Sequence, residues 1–215
     1  IFDPFIVENG SAVYLHENDK RFDLSTLDEN TDPVQPKVTL RQHVLGKPRD
    51  KIIQIISEAR RQNDWSFIGF NDMTEAQLVE LTGLTLDNAV SAKNRQYSEP
   101  LVWQDSNENL AAFKKLLSEH GLRLLKGGRF LHVLGDTNKG KAIQWLLQRR
   151  LIEQTSTLIA LGDSNNDLDM LKVADYPVLV KSPTHAYPAL DHEKIIRTEG
   201  EGPVGWNQAI LQLTA

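Results

Sequence analysis

The stretch Thr157-Leu158-Ile159-Ala160-Leu161-Gly162-Asp163-Ser164-Asn165-Asn166-Asp167 joins a nearly unbroken apolar run to an abrupt acidic end. An apolar run of this length without alternation predicts a strand covered on both faces, as in a parallel sheet sandwiched by helices. Gly162-Asp163 then sets a carboxylate at the carboxy-terminal edge of that strand, where ligand sites of open parallel sheets collect. Asp167 follows four positions later, at the start of a predicted helix around Leu168 to Val173, so both carboxylates can enter one crevice. Asp163, Asp167 and the Asn166 amide oxygen are hard ligands, suited to Mg²⁺ and unsuited to a soft metal. The same residues also fit an acidic cap in which Asp163 or Ser164 serves the following helix.

Outward from this stretch the alternation continues. A helix carrying Ala142, Trp145 and Leu146 precedes it, and short strands at Pro177 to Val180 and near Ile195-Ile196 follow it. This βαβ pattern predicts an α/β, Rossmann-like parallel-sheet core. Upstream the pattern differs. Pro48 suits a first helical turn, and Ile52, Ile53, Ile56 and Ala59 form a stripe to about Gln62. Trp65 to Phe70 reads as a strand. Thr74-x-x-Gln77 is a capping box for a helix through Leu78 and Leu81 to Gly83. Pro100 to Trp103 is extended; Asp105 with Glu108 is expected to cap a helix with the stripe Leu110, Phe113, Leu116 and Leu117, ending at Gly121. Leu122 to Lys126 and Arg129 to Leu134 pair around Gly127-Gly128. Near the front, Ser11 to Leu15 reads as a strand, and residues 25–40, polar and interrupted by Pro33 and Pro36, as an excursion loop. The change of pattern places a domain boundary near 134–138: 1–10 as a partial core, 11–134 as a smaller α+β domain, which the resemblance given below makes an inserted cap, and 135–215 as the carboxy-terminal half of the core. Trp103, Trp145 and Trp206 are expected in packing roles, and Glu199 to Gly205 is too glycine-rich for a regular strand.

The 215 residues are 40% apolar and 25% charged, the composition of an ordinary folded domain. With 24 Lys and Arg against 29 Asp and Glu, the formal charge of -5 gives no basic footprint for nucleic acid. No run approaches the roughly 18 to 20 apolar residues of a bilayer span, so no membrane partner is expected. Without a signal-peptide pattern, a cytoplasmic setting is the default expectation, although no initiator methionine precedes Ile1. The absence of cysteine removes disulfides and thiolate metal sites.

Lys139 lies just before a helix beneath the next strand, in Asp136-Thr137-Asn138-Lys139-Gly140-Lys141. A lysine entering the carboxylate crevice can neutralise phosphate oxygens, while a solvated lysine at a helix start is the commoner situation. The same stretch fits G-x-x-x-x-G-K from Gly135 to Lys141. Ala142, however, lacks the hydroxyl that a nucleotide-bound Mg²⁺ requires, so the phosphate-loop reading fails at a chemically necessary position.

Lys139 with Gly162-Asp163-Ser164-Asn165-Asn166-Asp167 resembles motifs three and four of the haloacid dehalogenase superfamily. Glu8-Asn9-Gly10 is similar to the strand-end signature of members carrying a large C2-type cap. Arg95-x-x-Ser98-Glu99-Pro100, Gly127-Gly128-Arg129-Phe130-x-His132 and Glu201-Gly202-Pro203-x-Gly205-Trp206 resemble the mannosyl-3-phosphoglycerate phosphatase family, with blocks across essentially the whole chain. The resemblance implies a Mg²⁺-dependent phosphoric monoester hydrolase acting in mannosylglycerate (compatible-solute) biosynthesis, with a phosphorylated sugar-glycerate as its small-molecule substrate. It implies a nucleophilic Asp of an Asp-x-Asp motif, expected ahead of Ile1 because Asp167-Leu168-Asp169 belongs to the metal loop; without it the chain as given is expected to be inactive. It assigns Asp163, Asp167 and Asn166 to Mg²⁺ and Lys139 to the phosphoryl site. Arg95, Ser98, Gly127, Gly128, Arg129 and His132 become substrate-binding candidates: Arg95 for a carboxylate or phosphate, Ser98 as a donor, the glycines for close backbone approach, and Arg129 and His132 as sharing one strand face. Each also has a bland reading, as a loop ion pair, a hairpin turn or a hydrogen-bonded structural histidine. A glucosyl-3-phosphoglycerate or other sugar-phosphate substrate, and a non-catalytic sugar-phosphate-binding role, remain open beside it.

Overall fold

A computed structural model of the chain describes residues 3–31, 39–127, 129–151 and 157–214. Four short strands open it: β1 (Phe5–Val7), β2 (Ala12–His16), β3 (Asp28–Thr31) and β4 (Thr39–Val44), in the order β1-β2-β4-β3. The strand expected at 11–15 is β2. The excursion loop expected over 25–40 is corrected at 28–31, where β3 pairs antiparallel with β4 from Asp28 opposite Gln42 to Thr31 opposite Thr39; residues 32–38, with Pro33 and Pro36, lie outside the described residues. Polar Asp-Glu-Asn-Thr carries no apolar period by which a strand could be read from the sequence.

By its contacts the chain falls into two compact units, one of Ile6–Ala12 with His43–Thr137, the other of Ile1–Phe5, Val13–Gln42 and Asn138–Ala215. Residues 13–42, expected with the cap, thus group with the carboxy-terminal part.

In the His43–Thr137 unit, α1 (Arg49–Asn63) starts after Pro48, as its fixed φ favours, and buries Ile52, Ile56 and Ala59. Next come β5 (Phe67–Gly69), α2 (Glu75–Thr82), α3 (Leu86–Lys93), β6 (Ser98–Trp103), α4 (Asn107–Glu119), β7 (Leu122–Lys126) and β8 (Leu131–Gly135). The Thr74/Gln77 capping box forms, and Gly83 ends α2 at φ 74. The cap of α4 is shifted by one residue from expectation: Ser106 Oγ accepts from Asn109 N, while Asp105 accepts from the Ser66 and Ser106 amides. Helix α3 lacks a sequence forecast, because Leu86 and Val90 are exposed and only Ala89 is buried along it.

The strands form an antiparallel sheet, β5-β6-β8-β7. Side chains alternate between its faces. Phe67, Leu101, Val133 and Leu122 pack with Ile52 and Ile56 of α1 and with Phe113 and Leu117 of α4. Phe113 is fully buried, stacked on Trp103 at 5.2 Å and edge-on to Trp65 at 5.5 Å. The alternate positions, Ser98, Pro100 and His132 among them, belong to the other face, with Pro100 directly opposite His132.

The remaining elements are α5 (Lys139–Gln148), β9 (Ile159–Gly162), α6 (Leu168–Leu171), β10 (Tyr176–Lys181), β11 (Ile196–Glu201) and α7 (Gly202–Thr214). The three strands form a parallel sheet in the order β11-β10-β9, as the apolar run of β9 requires. Leu179 packs with Leu171 and Ala174 on one side, and Val178 and Val180 pack with Ala209 on the other. Covering on both faces explains why β10 has no polar alternation. Glu199–Gly205, expected to be irregular, instead finishes β11 and opens α7. Pro203 is tolerated in the first turn, and Gly205 is demanded because a Cβ there would collide with Gly200 O and Thr198 Oγ1. Trp206 is 50% exposed, which corrects its packing role.

Candidate active site

At the carboxy-terminal end of β9 the chain turns sharply through a short 3₁₀ helix, Asn165–Asp167. Asp167 folds back over this turn. Its Oδ2 accepts from the amides of Asp163 and Ser164, each at 3.2 Å, and from Ser164 Oγ at 3.0 Å. Its Oδ1 meets Lys139 Nζ at 2.5 Å, from the first residue of α5. The Asp167 side chain is 8% exposed and that of Lys139 29%. Burial pushes the Asp167 carboxyl up, but the lysine and the hydrogen bonds from Ser164 outweigh it, and the group lies below its ordinary range. A Cβ on Gly162 would run into the Asp167 side chain, so glycine at the strand end leaves space for the returning carboxylate.

Asp163 is placed differently. Its side chain is 51% exposed, with His185 Nε2 at 3.9 Å, and it lines a cavity of about 450 Å³ with Lys181, Pro203 and Trp206. The Asn166 side-chain amide lies against Ser164 Oγ, whose proton goes to Asp167. Asp163, Asp167 and Asn166 thus supply hard oxygens within five residues. Among the described residues no group of three or more His, Cys, Asp or Glu side chains gathers as a metal cluster. A pair of carboxylates still fits Mg²⁺, which keeps most of its waters and takes few protein ligands.

The amino end of α5 argues against a phosphate loop. Asn138 Oδ1 occupies the Lys141 amide at 2.7 Å, and Gly140 is pressed against the Asp169 carbonyl, leaving no room for a Cβ. The helix caps itself where a nucleotide phosphate would sit.

A second constellation lies within the His43–Thr137 unit and its companion segment 6–12. Glu8 stands at φ 46, Asn9 at φ 59 and Gly10 at φ 95, a left-handed turn closed by Ser11 Oγ on Glu8 O. The Glu8 carboxylate accepts from Gln96 N at 2.8 Å, Tyr97 N at 3.1 Å and Ser98 Oγ at 2.5 Å. Arg95 Nη1 donates to Ser98 Oγ at 3.1 Å, while its buried Nε has no protein acceptor. Burial lowers the pKa of Arg95, with Glu8 opposing that effect. Glu99, fully buried, meets Arg49 Nε at 2.7 Å and Nη2 at 2.6 Å. Burial pushes the Glu99 carboxyl up, against the pull of Asn71 N and Arg49. Arg49 also donates to Lys93 O, and its amide to Gln96 O, so the 93–99 segment is fastened along its length.

His132 is driven down to about pKa 4, by burial and then by the charge of Arg95. Its ring sits so near Gly127 that a Cβ there would come within 2.7 Å of Nε2. Gly127 therefore makes room for the imidazole, and Gly128 lies outside the described residues. Arg129 departs from expectation. It precedes β8 by two residues and stands three positions before His132, so the two do not share a strand face. Its guanidinium donates to Leu81 O at 3.4 Å and Thr82 O at 2.7 Å, covering carbonyls at the carboxy end of α2.

The Arg95-x-x-Ser98 spacing brings those two side chains together, whereas their partner Glu8, the adjoining Arg49–Glu99 pair, and His185 and Lys181 near Asp163 are not signalled by spacing. Only Glu8-Asn9-Gly10 carried a signal, since a glutamate in a left-handed turn is costly unless its side chain is held.

Residues 2–190 match the haloacid dehalogenase-like hydrolase family. The chain belongs to that family. A glucosyl-3-phosphoglycerate/mannosyl-3-phosphoglycerate phosphatase of Methanococcoides burtonii is 34% identical, over 98% of this chain and 75% of its own length. One so named from Persephonella marina is 31% identical over 99% and 76%. Among solved structures, a Thermoplasma acidophilum protein aligns over all of this chain and 73% of its own, with a TM-score of 0.54 at 12% identity. A protein from Bacteroides thetaiotaomicron, described among phosphatases of the haloalkanoate (HAD) enzyme superfamily, aligns over 80% of this chain and 67% of its own, with a TM-score of 0.52 at 15% identity. At such identities the structures speak to the fold alone, and a haloacid dehalogenase-like α/β fold is what they share with this hydrolase. No helix among the described residues is long and apolar enough to cross a membrane.

Proposed function

We propose that this hydrolase is a Mg²⁺-dependent phosphatase that converts mannosyl-3-phosphoglycerate to mannosylglycerate and phosphate, with the glucosyl analogue as the alternative substrate. The observation that carries the proposal is the Lys139 Nζ to Asp167 Oδ1 pair at the carboxy-terminal edge of the parallel sheet. The names of the two curated relatives support the substrate class.

Asp163 and Asp167, with Asn166, would hold the metal, whose charge would offset that of a transferring phosphoryl group. Lys139 would neutralise phosphoryl oxygens; its contact with Asp167 supports this role by keeping the carboxylate ionised and restraining the ammonium group ahead of substrate. In the proposed route a nucleophilic aspartate, supplied by the Asp-x-Asp pair that the resemblance implies, takes the phosphoryl group. The sugar-glycerate alcohol leaves, and water then cleaves the aspartyl-phosphate. Arg95 and His132 belong to the proposed cap, where the substrate's glycerate end is to be read; the guanidinium favours a carboxylate. Ser98 is not a direct donor in this reading, because its single proton is given to Glu8.

The test is phosphate release by the intact protein, with Mg²⁺, from mannosyl-3-phosphoglycerate, glucosyl-3-phosphoglycerate and ATP in parallel. Release from the mannosyl compound that falls by about a hundredfold or more in Lys139→Ala and Asp163→Ala is expected. Folded, Mg²⁺-loaded protein that releases phosphate from ATP alone, or from none of the three, removes the assignment.

A further inference from the structure

Arg95 is the cation that the proposed function offers to the substrate's glycerate carboxylate, yet its orientation is decided by residues remote from it in sequence. Its hydrogen bond to Ser98 Oγ makes that hydroxyl an acceptor, so the Ser98 proton must point elsewhere. It points to Glu8 Oε2. Ser98 is fully buried and has no further proton to offer. The result is a directed chain from guanidinium to hydroxyl to carboxylate, with a charged group at each end and a neutral relay between them.

Glu8 is itself fixed. Its other oxygen and its second lone pairs take the amides of Gln96 and Tyr97. Its backbone sits at φ 46, a conformation that favours glycine or asparagine. A glutamate in that position gives up backbone freedom for the reach of its side chain. On the far side, Arg49 holds Glu99, Lys93 O and Gln96 O, so the segment bearing Arg95 and Ser98 is clamped from both directions.

We infer that Glu8 is a positioning residue for substrate-anion recognition: through the Ser98 hydroxyl it aims the Arg95 guanidinium at the glycerate carboxylate without touching the substrate itself. The inference rests on the proposed function, in which Arg95 meets that carboxylate.

The experiment is a double-mutant cycle in the intact protein, reading KM and kcat for mannosyl-3-phosphoglycerate in Glu8→Gln, Arg95→Ala and the pair, with Ser98→Ala as a second probe of the relay. Glutamine keeps one acceptor oxygen for the amides but removes the charge at the end of the chain. Glu8→Gln is expected to raise KM about tenfold with kcat changed by less than about threefold, the size expected for loss of a charge-assisted bond in binding. The double variant is expected to bind no worse than Arg95→Ala alone. Ser98→Ala severs the relay while leaving both backbone clamps of Glu8 in place, so it decides the matter if Glu8→Gln fails to fold; a KM rise of the same order is expected. Independent, additive effects of Glu8→Gln and Arg95→Ala overturn the inference, as does an unchanged KM in Ser98→Ala beside a raised one in Arg95→Ala. If Arg95→Ala leaves KM unchanged, the reading of the substrate carboxylate fails, and the inference falls with it.

Discussion

At neutral pH the imidazole of His132 should carry no charge, and this can be tested on its own titration. In the folded protein burial and then the Arg95 charge hold it to about pKa 4, against 6.5 for an unhindered histidine. The sign follows from proton binding. As pH falls through 6.5 the unfolded chain gains a proton that the folded chain refuses until pH 4, so stability declines throughout that window. The full difference of 2.5 units corresponds to at most about 3 kcal/mol, of which about 2 kcal/mol is already lost at pH 5. His132 is partly exposed, and solvent screening reduces the observable loss to about 1 to 2 kcal/mol. The assay pairs an NMR titration of the histidine ring nitrogens with urea unfolding from pH 7.5 to 4.5, for the parent protein and His132→Gln. Glutamine keeps a polar side chain and cannot titrate, so its stability curve should fall less steeply than the parent's. A His132 pKa within half a unit of 6.5, or parallel stability curves, refutes the reasoning. Within the proposed function, a neutral His132 would meet the substrate through a ring nitrogen and leave the anion to Arg95.

Two further changes test the packing of each unit. Phe113→Ala should cost about 3 to 5 kcal/mol, because the ring is fully buried among Trp65, Phe67 and Trp103, and denaturant unfolding of the His43–Thr137 unit should report it. Gly140→Ala drives a Cβ into the Asp169 carbonyl, a backbone atom that cannot rotate away. A loss of about 2 kcal/mol or more and a lower melting temperature are expected, and an unaltered melt would show that α5 and α6 are not so closely apposed.

Much of the candidate site could be read along the chain because its parts are local. Asp163 and Asp167 are four residues apart, and a strand that must be apolar on both faces announces where they stand. The capping box at Thr74 and the glycine stop at Gly83 act within a single turn. Reading failed where one residue type serves two ends. The glycines of Glu199–Gly205 argue against a regular strand, yet the segment finishes β11 and opens α7, and Gly205 is there for its close approach to β11. Arg129, placed with His132 by the motif they share, turns instead to the carboxy end of α2.

Periodicity or spacing within a few residues is enough to set the parallel strands of the carboxy-terminal part, the helices with a clear apolar stripe, and the oxygen-rich loop that ends β9. Tertiary structure alone decided which carboxylate the lysine takes, which way Ser98 sends its proton, and that Glu8 stands behind Arg95. Glu8 and Ser98 are 90 residues apart, and a hydrogen bond over that separation leaves no periodic trace, because it depends on where the whole intervening chain has brought the two side chains.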